Sequence, residues 1–118
     1  MNEAVGRKIG LVLGANPSSG GALMAVRLAE SALANGCRVS IFLVDDGLYM
    51  ALESSSNKSL LKRFQALSGR GAEITLCSVM LRGRGIEASS VGSGIELGSL
   101  LHFAELITTS DKVLFFFR

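Results

Sequence analysis

Short apolar runs that alternate with amphipathic segments restrict the fold of this chain more than any other feature. Residues 8–14 and 38–44 are rich in branched apolar side chains and end in turn residues, which predicts strands buried on both faces. Further strands are predicted at residues 73–77 and 112–117. Strands that alternate with helices indicate parallel βαβ units. We therefore expect residues 1–118 to form one α/β domain, a three-layer sandwich with an open, mostly parallel sheet of about five strands and helices on both faces.

Helices are predicted wherever apolar residues recur at helical spacing between these strands. One begins after Ser18 or Ser19, either of which can cap it, a second covers residues 60–67, and a third covers residues 97–108. Residues 53–58 (ESSSNK) are polar and are predicted to be a loop. The third helix is expected to bury one apolar face, which consists of Leu97, Leu100, Leu101 and Ala104.

Composition and charge exclude several classes of protein. The chain is 48% hydrophobic, and we expect part of its apolar surface to meet another subunit. Its apolar runs are far shorter than the roughly 18–20 residues of a membrane-spanning helix, so no span is expected. A net charge of +2, from 12 basic and 10 acidic residues, does not predict nucleic-acid binding. The run after Arg7 and Lys8 lacks a convincing cleavage site for a secretory signal, and a cytoplasmic protein is expected.

Ligand sites in parallel sheets lie beyond the carboxyl ends of the strands, which here selects residues 16–21, 45–46 and 77–85. Residues 14–21 (GANPSSGG) favour a strand-to-helix turn with a serine cap, with a weak anion or substrate contact at Asn16 as the alternative. Asp45 and Asp46 favour a turn and capping role, because no third carboxylate is expected nearby to complete a Mg²⁺ site. Two cysteines and one histidine predict neither a disulfide framework nor a metal site, and no cofactor is expected. His102, a lone histidine, is interpreted as a surface residue.

Cys77 ends the third predicted strand and is the best candidate for a reactive group. A thiol is a nucleophile only as the thiolate, which a nearby arginine or a helix N-terminus stabilises. Arg82 and Arg84 follow within two turns, and a short helix beginning at Ser78 would point its N-terminus at the sulfur. From local chemistry alone, a reactive thiol and an inert buried cysteine are about equally well supported. Cys37, which precedes the second strand, is interpreted as a small core residue.

Three segments together resemble the DsrE/DsrF-like family of sulfur-relay proteins, and within it the DsrE and TusD members most closely. They are residues 69–85 (GRGAEITLCSVMLRGRG), 94–106 (GIELGSLLHFAEL) and 110–117 (SDKVLFFF). The shared features are a cysteine that ends the third strand, an arginine–glycine segment after it, a glycine before an apolar helix, and an Asp–basic pair that opens the last strand. Residues 44–51 (VDDGLYMA) also match in kind, so the likeness covers nearly the whole chain.

The resemblance implies that Cys77 accepts sulfane sulfur as a persulfide and passes it to the thiol of a partner. Arg82 and Arg84 are expected to stabilise the thiolate or persulfide, and backbone near Ser78 and Gly94 is expected to line the pocket. The implied partners are sulfur donor and acceptor proteins, together with further subunits in a homo-oligomer, commonly a trimer or hexamer, or in a hetero-complex of sister subunits.

Two other functions stay open at this point. The chain could be a non-catalytic assembly or binding subunit in which Cys77 is unreactive. A nucleotide- or flavin-binding domain that uses residues 16–21 is the least supported reading.

Overall fold

The computed structural model describes residues 6–54 and 58–118, so the predicted loop at residues 53–58 lies partly outside the described residues. Five strands form one sheet in the order β4-β3-β2-β1-β5, and every pair of neighbouring strands is parallel. This confirms the predicted α/β class and the number of strands. The strands are β1 (Lys8–Leu13), β2 (Arg38–Leu43), β3 (Glu73–Cys77), β4 (Glu96–Gly98) and β5 (Lys112–Phe116).

Helices cover both faces of this sheet. The α-helices are α1 (Gly20–Ala34), α2 (Lys58–Gly69), α3 (Ser78–Gly83) and α4 (Leu100–Thr109), and a 3₁₀ segment spans Asp45–Ala51. The chain moves in one direction from β1 to β4 and then returns past β1 to β5. Because parallel crossovers are right-handed, reversing the direction moves the crossover helix to the other face. Helices α1 and α2 therefore share one face, and α4 covers the other. No helix in the described ranges is long and apolar enough to cross a membrane.

The ends of α1 follow the predicted capping chemistry. The Ser19 hydroxyl accepts a hydrogen bond from the Ala22 N–H at 3.4 Å and caps the first turn. The helix ends at Asn35, and Gly36 then adopts a φ of +87°, a conformation that favours glycine. The serine-cap interpretation of the loop after β1 is therefore correct.

The two faces of the sheet are buried to different extents. A large core cluster between the sheet, α1 and α2 includes the fully buried Leu11, Ile41 and Phe64. The opposite cluster is small and consists of Val12, Phe42, Val44, Cys77 and Leu106. One short helix does not cover five strands, so the α4 face retains two cavities, one at each end of the strands.

The predicted helix over residues 97–108 is wrong in its start and in its buried face. Its first residues form the short strand β4, and the helix begins only after Ser99, whose hydroxyl accepts the Leu101 N–H at 3.2 Å. Leu106 is the buried residue of α4. Helical periodicity identifies an apolar face but does not tell what covers it. The residues expected to be buried but found exposed are Leu97, Leu100, Leu101 and Ala104.

An ion pair joins α1 to α2. Arg63 donates from Nε to Glu30 Oε2 at 3.0 Å and from Nη2 to Glu30 Oε1 at 2.5 Å. The hydrogen bond from Arg63 lowers the pKa of Glu30 below its ordinary value of 4.5. Because the pKa is lowered in the folded state, the pair stabilises the fold fully at pH values above the ordinary pKa of 4.5. This stabilisation is lost as the pH falls through the lower, folded-state pKa.

We expect Glu30→Gln to lower the free energy of unfolding by about 0.5 kcal/mol near neutral pH, because both side chains are one-third exposed and water screens the pair. The difference from the wild type should vanish in acid, where Glu30 is protonated in both states. Urea unfolding at a series of pH values measures it. Glu53→Gln, which removes an exposed carboxylate with no ion pair among the described residues, is the control. A difference that persists unchanged in acid would contradict the assignment.

Candidate functional site

Cys77 lies where β3 ends and α3 begins, at the carboxyl edge of the sheet. It is the N-cap residue of α3, is only 4% exposed, and lies beside Gly98 of β4 in the parallel register. Reactive groups in parallel sheets gather at this edge. The predicted positions of the strand, the short helix and the cysteine are all correct.

An open cavity of about 210 Å³ adjoins Cys77. Its described lining is almost entirely apolar, and the one charged residue in it is Asp45. Asp45 adopts a φ of +47°, and its N–H donates to the sulfur of Met80 at 3.3 Å. The cavity is therefore suited to a group of low polarity. The lining residues are Val12, Phe42, Val44, Asp45, Cys77, Met80, Leu100, Phe103, Phe115 and Phe117.

Aromatic rings form much of the cavity wall. The rings of Phe42 and Phe103 lie 5.4 Å apart, and those of Phe115 and Phe117 are stacked at 6.4 Å. Phe117 packs over Gly14, where a Cβ would collide with the ring. None of these four rings was among the predicted site residues. For Phe42, Phe115 and Phe117 the signal was available, since alternate residues of neighbouring parallel strands point to one face and meet at one edge.

The arginines expected beside the thiol do not lie in this cavity. Arg84 donates from Nη1 to Asp46 Oδ1 at 3.0 Å, and its guanidinium lies 5.4 Å from the centre of the Tyr49 ring. Contact with Tyr49, and to a smaller extent contact with Asp46, raises the pKa of Arg84 above its ordinary value. Arg82 is exposed in the last turn of α3. The lining of the cavity at Cys77 is almost entirely apolar, which corrects the expectation that Arg82 and Arg84 lie beside the thiol.

Three further predicted site residues also lie outside the lining of the cavity. Ser78 is the first residue of α3 and adjoins Cys77 along the chain. Gly94, with a φ of +85°, packs against Ser68 of α2. It precedes β4, and because β4 runs parallel to β3, the chain at Gly94 lies near the amino end of the sheet, away from Cys77. The Asn16 side chain accepts hydrogen bonds from the Ser18 N–H at 2.9 Å and hydroxyl at 2.7 Å, so it organises the turn before α1.

Other polar candidates have structural roles. His102 is exposed, as predicted, and its Nδ1 atom also accepts the Ser99 N–H at 3.0 Å and so caps α4. Cys37 is half-buried against the large core cluster, as predicted. In the described part of the chain, no three His, Cys, Asp or Glu side chains are grouped so that they could hold a metal ion.

The fold and this edge define a class: a three-layer α/β domain with an all-parallel sheet and a cysteine at the carboxyl end of an inner strand. Comparison with known proteins gives the family. Residues 7–116 match the model of the DsrE/DsrF-like family, and the chain belongs to that family. The resemblance noted from the sequence is thereby confirmed.

Relatives of similar length support this assignment. An uncharacterized protein of Methanopyrus kandleri is 29% identical over 98 residues, which cover 80% of this chain and 81% of that protein. Protein YchN of Escherichia coli K12 is 27% identical over 79 residues, covering 64% of this chain and 68% of YchN.

Solved structures show the same fold. The crystal structure of YchN from E. coli superposes with a TM-score of 0.74 at 23% identity, covering 95% of this chain and all of that one. The structure of MTH1491, a protein of unknown function from Methanobacterium thermoautotrophicum, gives a TM-score of 0.77 at 14% identity, covering 92% and 98%.

Proposed function

We propose that the protein is a sulfur carrier that accepts sulfane sulfur as a persulfide on Cys77 and passes it to a partner thiol. The observation that carries this proposal is that Cys77 lines an open, apolar cavity at the carboxyl edge of the sheet. Membership of the DsrE/DsrF-like family, with its sulfur-relay chemistry, supports it. We place this chemistry in the cytoplasm, where thiols stay reduced.

The chemistry is two thiol-exchange steps. The Cys77 thiolate attacks the terminal sulfane sulfur of a donor persulfide, a new S–S bond forms, and the old S–S bond breaks with its electron pair on the donor thiolate. An acceptor thiolate then attacks the terminal sulfur of the Cys77 persulfide and releases the Cys77 thiolate. Electrons and sulfur atoms balance in each step, and no metal or organic cofactor takes part.

The surroundings of Cys77 suit the sulfur better than they suit a permanent charge. Divalent sulfur packs well against aromatic and aliphatic side chains, and Phe42, Phe103 and Met80 line the cavity that Cys77 borders. Burying an ionised group among apolar side chains is costly. The first-turn N–H groups of α3, which Cys77 precedes as the N-cap residue, have no partner within the helix and are available to offset that cost. Arg82 and Arg84 would stabilise the thiolate or persulfide only if a donor or acceptor protein repositions them.

Intact-mass spectrometry after incubation with glutathione persulfide tests the proposal. Wild type and Cys37→Ser should each gain the mass of one sulfur atom, and Cys77→Ser should not. Adding an excess of a small acceptor thiol should then remove the extra sulfur. A mass gain that persists in Cys77→Ser, or one that never appears in the wild type, would contradict the proposal.

A non-catalytic assembly or binding subunit is the second candidate, and the burial of Cys77 favours it. Alkylation rates separate the two functions. A sulfur carrier should react with iodoacetamide at Cys77 while folded, whereas an assembly subunit should react slowly until it is unfolded. Cys37→Ser isolates the reaction of Cys77.

We also propose that copies of this chain assemble through the α4 face, as a trimer or hexamer. Leu100 and Leu101 are 71% and 66% exposed at the start of α4, and Phe115 and Phe117 are at least half exposed on and just after β5. Three of these four side chains also border the cavity at Cys77, so they form one continuous apolar surface. Apolar surfaces of this kind mark protein interfaces.

A further inference from the structure

A second cavity lies on the α4 face, at the amino ends of the strands. It has a volume of about 250 Å³, and charged and polar side chains from β1, β2, β3 and α4 line it. The rings of Phe42 and Phe103, 5.4 Å apart, lie on its side toward Cys77, and Phe42 lines both cavities. The volume lies below the usual range for drug-sized ligands, which favours a small molecule as the occupant.

Ser40 on β2 gives the first indication of a ligand. The residue is 5% exposed and lines this cavity, and its hydroxyl has no hydrogen-bond partner among the described residues. A buried hydroxyl without a partner destabilises a fold, so such groups in native proteins usually have a bound partner. The space in front of Ser40 can supply one.

The charges around the cavity give the second, independent indication. Lys8 and Arg38 are neighbours in the register of β1 and β2, and Glu73 lies beside Ser40 in the register of β2 and β3. Glu105 reaches the cavity from α4. None of these four charged side chains forms an ion pair with another described residue. Two cations and two carboxylates therefore line one small space without neutralising each other.

These charges select one class of ligand. A simple anion would bind beside two carboxylates, and a simple cation would bind beside a guanidinium and an ammonium group, so each would meet repulsion as well as attraction. A molecule that carries both signs can place each of its charges near the opposite one. Arginine in particular binds carboxylates through two parallel hydrogen bonds.

We propose that this cavity binds a small zwitterion of the amino-acid type. Arg38 and Lys8 bind its carboxylate, with Ser40 donating a hydrogen bond. Glu73 and Glu105 bind its ammonium group. The site is distinct from the cavity at Cys77 and does not depend on sulfur chemistry.

Saturation-transfer NMR on the full chain tests the proposal with three matched probes at millimolar concentration. L-alanine carries both charges, propionate lacks the ammonium group, and ethylamine lacks the carboxylate. L-alanine should bind, and the other two should bind at least tenfold more weakly. Absence of binding by L-alanine, or equal binding by either single-charge probe, would overturn the proposal.

Variants locate the binding. Arg38→Gln and Ser40→Ala should each weaken L-alanine binding at least tenfold, whereas Lys62→Gln, at an exposed position on α2, should not. Ser40→Ala removes the unpartnered hydroxyl, so its melting temperature without ligand should equal or exceed that of the wild type. Cys77→Ser should bind L-alanine normally, which separates this site from the proposed sulfur carrier. Full L-alanine binding by Arg38→Gln would place the probe elsewhere and refute the assignment.

Discussion

Gly47→Ala should lower the free energy of unfolding by about 3 kcal/mol or more. A Cβ at this position would collide with the carbonyl oxygen of Leu13 and lie 2.9 Å from its carbonyl carbon. That oxygen belongs to the last residue of β1, and it also accepts the N–H of Val44, the residue directly after β2, at 3.0 Å. Backbone cannot move aside as a flexible side chain can. The methyl group must therefore displace the Leu13 carbonyl and disrupt its hydrogen bond with Val44. For a domain of this size, the loss corresponds to a melting temperature lower by about 10 °C.

Gly69→Ala is the matched control for this prediction. Gly69 is the last residue of α2, and a Cβ there would meet nothing within 4 Å. Alanine is a better helix former than glycine, so this change should leave the stability equal or raise it by up to about 1 kcal/mol. Chemical unfolding of both variants gives the comparison. Equal stability of Gly47→Ala and the wild type would show that the close approach to Leu13 is not rigid.

The central strands of the sheet were predictable because parallel strands that are buried on both faces need continuous apolar runs. β1 and β2 are such runs and turn residues follow each of them, whereas β3 (EITLC) is a shorter strand that ends directly at the start of α3. β4 was missed because its three residues (ELG) lie between a loop and a helix and resemble the start of that helix. Gly98 was the available signal, since a Cβ there would collide with Thr75 on the neighbouring strand. A glycine in an apolar segment often marks such a close approach.

The candidate site was predictable in its position but not in its chemistry. Cys77 stands at the carboxyl edge because β3 ends there, and strand ends can be read from sequence. The side chains around it come from β1, β2, α4 and β5, elements far apart along the chain. Sequence proximity suggested Arg84 instead, but its guanidinium binds Asp46. Nearness along the chain is therefore a poor guide to what surrounds a residue at a strand end.

Leu101→Lys should convert the proposed assembly into monomers without unfolding the chain. Leu101 is 66% exposed on α4, so lysine can replace it in the isolated subunit with little change in stability. At an apolar interface the same change removes up to about 3 kcal/mol of leucine burial and adds a charge that must be desolvated. Each 1.4 kcal/mol weakens association about tenfold, so the loss should exceed a hundredfold. Sedimentation velocity measures the mass, and far-UV circular dichroism checks the fold.

Met24→Lys is the control because it separates assembly through the α4 face from non-specific association through any exposed apolar side chain. Met24 is 63% exposed on α1, on the opposite side of the sheet, and its replacement should leave the assembly intact. A monomeric wild type, or a Leu101→Lys variant that assembles as the wild type does, would rule out the α4 face. Leu100, Phe115 and Phe117 border both this face and the cavity at Cys77, so a bound neighbour would narrow the cavity mouth. If the assembly forms as proposed, Leu101→Lys should therefore also speed the alkylation of Cys77, although residue 101 does not line the cavity.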